Sequence, residues 1–157
     1  MMRKMTKEEA LHRCASYCSL AERCVSDVAK KLEKWELSQE EQNGILQRLQ
    51  KEGFLNEERY CRSFVNDKVK FARWGKNKIV YALRAKGVSE EWIGKAIATI
   101  DPADNETILE TLLRQKLKSV KGKDAYEIRN KLIRFAAGRG FELSSIYKCL
   151  ESIVQKM

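Results

Sequence analysis

The densest run of chemically useful side chains lies between Arg59 and Lys86. Nine basic residues stand there (Arg59, Arg62, Lys68, Lys70, Arg73, Lys76, Lys78, Arg84 and Lys86) against a single acid, Asp67. Guanidinium and ammonium groups at this density make and break no bonds by themselves. They bind anions: phosphates of a nucleic acid or a carboxylate-rich protein surface. Such phosphate contacts position a protein without reading sequence. Phe71, Trp74 and Tyr81 are interleaved with the cations. Exposed rings in that setting stack on unpaired bases; the plainer reading packs them in a core. For the charges the plainer reading is a solvated helix face.

A second basic set, Arg129, Lys131, Arg134 and Arg139, follows further along. Arg114, Lys116, Lys118, Lys121 and Lys123 surround the turn at Gly122 and read as a solvated edge, with contact to DNA as the alternative. Catalysis finds little support. The sole histidine, His12, has no supporting nucleophile or acid–base partners. His12, Cys14 and Cys18 are close in sequence, but only the two thiols share a helical face, so no metal site is expected. There is no Gly-x-x-x-x-Gly-Lys-Ser/Thr loop, and Gly138-Arg139-Gly140 is too short to cradle a phosphate. The expectation is a binding protein without cofactor, not an enzyme.

Lys and Arg number 31 and Asp and Glu 22, a formal net charge of +9. That balance favours polyanionic partners. The charge is uneven. Residues 54–100 carry ten basic and five acidic side chains, residues 1–53 ten and nine, and residues 101–157 eleven and eight. Five cysteines, with no Cys-x-x-Cys pair, point to free thiols in a reducing, cytoplasmic compartment. No apolar run approaches the roughly 18 residues of a membrane span, and the basic start lacks an apolar core, so neither a membrane nor secretion is expected.

The elements that must carry these side chains read as helices. Pro102 is the only proline, and glycines mark the boundaries. Ser38 with Glu41 forms a capping box; Asn56 and Ser89 cap helices that begin with Glu pairs; Asp104 and Asp124 open two more. Nine helices are predicted, at 6–18, 22–34, 39–51, 57–73, 76–86, 90–100, 105–119, 125–138 and 143–154.

These helices repeat. Leu37, Val88 and Phe141 are equivalent anchors, 51 and 53 residues apart. Val28, Ile79 and Leu132 stand nine residues before them, and Leu32, Leu83 and Ala136 five before. Ile45, Ala96 and Cys149 stand eight after, and Leu46, Ile97 and Leu150 nine after. Lys86-Gly87-Val88 and Arg139-Gly140-Phe141 share a turn that the first unit replaces with Trp35-Glu36-Leu37. Five residues after the anchor, Gln42 departs from Ile93 and Ile146. The fold class predicted is all-α: three tandem three-helix repeats in an elongated, curved array. The repeats are 1–53 (divergent), 54–101 (basic) and 102–157.

The second repeat opens with Gly53-Phe54-Leu55-Asn56-Glu57-Glu58-Arg59-Tyr60. A basic helix follows to Arg73-Trp74-Gly75-Lys76, and the segment ends in Lys86-Gly87-Val88. This resembles the RecX family of RecA regulators, whose best-marked region has such an opening, a basic helix, a glycine and a Lys-Gly-Val ending. The third repeat, Phe135 to Leu150, is similar to the family's last repeat. The resemblance covers about residues 8–154, with Gln42 and the missing glycine before Leu37 as departures.

The resemblance implies binding in the groove of the RecA–DNA filament, bridging neighbouring protomers. That opposes filament growth and lowers RecA ATPase, strand exchange and co-protease activity. The contact residues expected are Arg62, Lys68, Lys70, Arg73, Lys76, Lys78, Arg84, Lys86, Arg129, Arg134 and Arg139, with charge reversal at Lys68, Lys76 and Arg84 weakening binding. Arg59 reads equally as a structural ion-pair partner. The expected partners are the RecA filament and, weakly and without sequence preference, single- or double-stranded DNA; the expected state is a monomer. One rival is a helix-turn-helix-like DNA-binding protein, although the candidate recognition helices, Glu90–Ile100 and Glu142–Val154, are poor in Arg, Asn and Gln on one face. Another is a helical-repeat adaptor for a different protein.

Overall fold

The structure, a computed structural model, describes residues 5–154. Those residues form nine α-helices and no strand. The helices α1 (Lys7–Leu20), α2 (Val25–Glu33) and α3 (Gln39–Lys51) make the first set of three. The second set is α4 (Glu57–Asp67), α5 (Lys76–Ala85) and α6 (Glu90–Ile97), and the third is α7 (Pro102–Ser119), α8 (Ala125–Gly138) and α9 (Leu143–Val154).

The caps explain most starts. Ser38 Oγ accepts from the Glu41 N–H while Glu41 accepts from the Ser38 N–H, both at 3.1 Å. Asn56 Oδ1 accepts from the Arg59 N–H at 2.9 Å, and Asp124 Oδ1 from the Glu127 N–H at 2.8 Å. Four boundaries differ from expectation by three residues or more, one being the end of α6 at Ile97 instead of 100. Helix α7 starts at Pro102, not near 105, because Asp101 Oδ1 accepts from the Ala103 N–H at 2.9 Å and Pro102 suits the first helical position. Asp104 therefore lies inside the first turn. Helix α2 starts at Val25, where Asp27 receives the Cys24 N–H at 3.3 Å. The long helix expected to Arg73 changes at Lys68 into one π-helical turn, Lys68–Ala72, and stops at Arg73, whose φ is 56°.

The turn before each repeat anchor needs a left-handed residue. Gly87 has φ 76° and Gly140 φ 98°, and Glu36 holds the same position at φ 54°. In the second and third repeats the closing hydrogen bonds correspond. Val88 N–H donates to Leu83 O and Gly87 N–H to Arg84 O; Phe141 N–H donates to Ala136 O and Gly140 N–H to Ala137 O. This is a Schellman turn. The first repeat keeps the left-handed φ at Glu36, without the residue that adopts it most readily, and there Trp35 N–H donates to Leu32 O at 3.1 Å.

The apolar stripes are buried as the repeat requires. Val28, Ile79 and Leu132, then Leu32, Leu83 and Ala136, then the anchors Leu37, Val88 and Phe141 are all buried. The third helices match less closely. Ile45 and Ala96 are buried but Cys149 is half-buried, whereas Leu150 is buried and Leu46 and Ile97 are not. Helix α9 turns Ile146, Leu150 and Ile153 inward, a stripe offset from Ile45 and Leu49 of α3. Gln42 is half-buried and its amide donates to the anchor carbonyl, Leu37 O, at 3.0 Å, which satisfies a polar group at a position apolar in the other repeats.

Two compact units result. Of the described residues, one takes 5–63 together with Leu83–Ile93; the other takes Phe64–Ala82 and 94–154. In the first, α1, α2 and α3 pack pairwise around Ala10, Cys14, Val28, Leu32, Ile45 and Leu49. In the second, α7, α8 and α9 pack pairwise around Leu109, Leu113, Leu132, Phe141, Ile146 and Leu150.

Candidate functional site

The basic side chains are best followed unit by unit. In the second unit, the π-helical turn and Arg73 swing the chain from α4 into α5. Trp74 lies half-buried in that bend, edge-on to Phe64, with centroids 6.4 Å apart. Two of the expected contact residues flank it: Lys68 Nζ and Lys78 Nζ each sit 4.6 Å from the Trp74 ring centroid. Lys68 also lies 5.3 Å from the Phe64 ring. A cation over a ring keeps its charge and loses freedom.

The bend is locked from the other side by α8 and α9. Gly75 N–H donates to Arg139 O at 2.7 Å, and Asn77 N–H to Gly140 O at 2.9 Å. A Cβ on Gly75 would fall less than 3.0 Å from backbone atoms of Gly140 and Phe141. Arg139 Nη1 donates to Ala72 O at 3.4 Å and its guanidinium lies 5.3 Å from the Phe135 ring. Lys76 pairs with Glu142 at 3.1 Å. Lys70, Arg73 and Arg134 are exposed. Arg129 is half-buried, 6.0 Å from the Tyr147 ring. Beside Lys70, Phe71 is 80% exposed, and Tyr81 on α5 is 77% exposed, so these rings are not core.

In the first unit, Arg62 is exposed at its place on α4. Arg84 makes a two-pronged contact with Glu90, at 2.7 and 3.0 Å, on an exposed face. Lys86 is held most firmly: its Nζ donates to Asp27 Oδ1 at 2.7 Å, and its carbonyl accepts from Ser26 Oγ at 2.7 Å. Burial pushes the Asp27 carboxyl up, but hydrogen bonds from Lys86 and Cys24 outweigh that and leave it below its ordinary value. The same hydrogen bond raises Lys86. Arg59 takes the structural role: Nε donates to Glu22 at 2.5 Å and Nη2 to Gly53 O at 3.0 Å.

All five cysteines are free. Burial pushes the Cys14 and Cys61 thiols up to about 11 and raises Cys18, Cys24 and Cys149 as well. Such thiols are protonated and poor nucleophiles. Among the described residues no group of three or more His, Cys, Asp or Glu could hold a metal, and no helix is long and apolar enough to cross a membrane.

Fold and surface together define a protein of tandem three-helix domains that presents cations. Residues 56–97 match the second three-helix domain of RecX, and residues 104–150 its third. A protein named regulatory protein RecX from Chlorobium phaeobacteroides (strain BS1) is 31% identical over 127 residues, covering 81% of this chain and 82% of that one. The chain belongs to the RecX family. The Clostridium perfringens (strain 13 / Type A) protein of the same name is 33% identical over 111 residues, and there the chain spans 50% of the relative's length. The crystal structure of RecX from Lactobacillus salivarius superposes with a TM-score of 0.86 at 17% identity, over 95% of this chain and 97% of that one. A second crystal structure of a regulatory protein RecX gives 0.85 at 22% identity, over 92% and 71%.

Proposed function

We propose that this chain is a cytoplasmic, non-catalytic modulator that binds the RecA–DNA filament and restrains its growth and ATP turnover. Membership of the RecX family is the observation that carries the reading. The cations of the two units supply the physics: they meet acidic protein surface or exposed phosphate, and bridging protomers hinders subunit exchange.

The structure sorts the expected contact residues by how free they are to meet a partner. Arg62, Lys70, Arg73 and Arg134 are exposed, and among the described residues none is held by a carboxylate. Lys68 and Lys78 lie against the Trp74 ring, which supplies no counter-ion. Lys76, Arg84 and Lys86 each face a carboxylate of this chain, so a partner would have to compete for them. Reversal at Lys70, Arg73 and Arg134 is therefore a cleaner probe than reversal at Lys76 and Arg84, which already face Glu142 and Glu90.

The test is RecA ATPase on single-stranded DNA, titrated with this protein and with the Lys70→Glu/Arg73→Glu/Arg134→Glu variant. Inhibition by the wild type that the variant loses by tenfold or more, about 1.4 kcal/mol, supports the reading. No inhibition at large excess over RecA from the same source removes it.

A further inference from the structure

A second cluster of cations and rings lies in the first unit, away from the residues discussed above. Helix α1 supplies Arg13, Tyr17 and the exposed Leu20; helix α2 supplies Lys31, and Trp35 follows it. They border an open hollow of about 360 Å³. Arg23 stacks on Tyr17 at 3.9 Å from the ring centroid and also donates through Nε to Tyr17 O at 3.2 Å. Lys31 lies 4.4 Å from the same centroid and 6.0 Å from that of Trp35. Among the described residues no carboxylate lines the hollow, so none of them neutralises these charges across it.

The occupant follows from the chemistry. Positive charge without a counter-ion calls for an anion. A base stacking on Tyr17 would compete with the two cations already over that ring, and Lys31 also lies 6.0 Å from the Trp35 centroid. A nucleobase gains little there. The open apolar group is Leu20, 81% exposed, with the exposed His12 and Ser16 on the same lining. Carboxylates beside an apolar side chain match both features, and the ring-held cations are ordered before a ligand arrives.

We propose that this hollow is a docking site for an acidic peptide segment carrying an apolar side chain. Carboxylates of the segment meet Arg13 and Lys31, and its apolar side chain covers Leu20. The site does not depend on the filament reading, since it uses none of the same residues.

Three fluorescein-labelled probes test it by anisotropy with the full chain: a short Asp/Glu peptide with one central Leu, the same peptide with Ser in place of Leu, and an oligo-dT of equal charge. The Leu peptide should bind about fivefold more tightly than the Ser peptide, as partial burial of one aliphatic side chain allows. Arg13→Glu should weaken both peptides by about tenfold. Leu20→Ser should abolish the difference between the peptides and leave the Ser peptide's affinity unchanged. Both positions are exposed, so the fold is retained, and circular dichroism verifies this. Equal affinity for the two peptides, indifference to both substitutions, or Arg13-dependent binding of oligo-dT above the Leu peptide would each overturn the proposal.

Discussion

The contact between Gly75 and the Gly140 turn makes a sharp prediction about stability. In Gly75→Ala the new methyl meets backbone of Gly140 and Phe141 at less than 3.0 Å, and backbone cannot rotate aside as a side chain can. The two segments must part, which breaks Gly75 N–H to Arg139 O and Asn77 N–H to Gly140 O. Two backbone hydrogen bonds contribute about 1 kcal/mol each, and forced overpacking costs about 1–3 kcal/mol more. The expected loss is about 3–5 kcal/mol, a large share of an ordinary domain's stability. Three substitutions calibrate it. Gly53→Ala and Gly87→Ala meet nothing within 4 Å but carry positive φ, so each costs only backbone strain, about 1 kcal/mol. Gly94→Ala lies inside α6 with open space around it and should stabilise by about 0.5–1 kcal/mol. At Glu36, where φ is 54°, Glu36→Gly should stabilise by up to about 1 kcal/mol. Urea unfolding of each variant, followed by circular dichroism, reads all five values. If Gly75→Ala falls within about 1 kcal/mol of Gly53→Ala, the close-packing argument is wrong.

Two further expectations rest on titrating groups. The Lys86–Asp27 pair should hold about 1 kcal/mol, kept small by the solvent exposure of Lys86. Asp27 is lowered, so its share is present above the ordinary value of 3.8 and vanishes as pH falls through its folded value. Lys86 is raised, so its share is full below 10.5 and is lost as pH climbs past that. The difference in urea midpoint between wild type and Lys86→Ala should therefore be flat between those limits; a steady change across neutrality would contradict the pairing. Alkylation by iodoacetamide at neutral pH, followed by mass spectrometry, should label half-buried Cys149 first and slowly. Cys14 and Cys61, raised to about 11, should stay unmodified until unfolding, and labelling at the rate of Cys149 would refute their burial.

The helices and their repeat could be read from the chain because each rests on local signals. Ser38 with Glu41, Asn56 and Asp124 act within one turn, and the offsets to Leu37, Val88 and Phe141 follow from helical periodicity. The π-helical turn at Lys68 carried no such mark. Its stop at Arg73 uses a residue that has no special liking for positive φ; what holds it there is tertiary, the grip of Gly75 and Asn77 on the Gly140 turn. Glu36 shows the converse: a missing glycine suggested divergence, yet the turn persists because the helices on either side demand it. The state of individual cations was the least legible. Arg114 with Glu110 and Lys131 with Glu127 are four apart and predictable. Lys86 with Asp27 and Lys76 with Glu142 join residues far apart in sequence, and no local pattern announces them. The hollow beside Tyr17 was missed for the same reason, since Lys31 reaches it from a different helix.

That sorting changes what a count of charges means. Nine basic residues between Arg59 and Lys86 suggest one uniform surface, but they divide into three kinds. Arg59, Lys76, Arg84 and Lys86 spend their charge on carboxylates of this chain. Arg62, Lys70 and Arg73 are exposed and, on binding, must give up side-chain freedom that costs up to about 2 kcal/mol apiece. Lys68 and Lys78 differ from both. Trp74 has already restricted them, and an aromatic face does not cancel a charge as a carboxylate does. Part of the ordering cost is thus met in folding, so these two lysines offer an anion more net affinity per charge than their exposed neighbours. Within the second unit the Trp74 bend, rather than the most exposed lysine or arginine, is where the proposed contact with the filament would be best organised in advance.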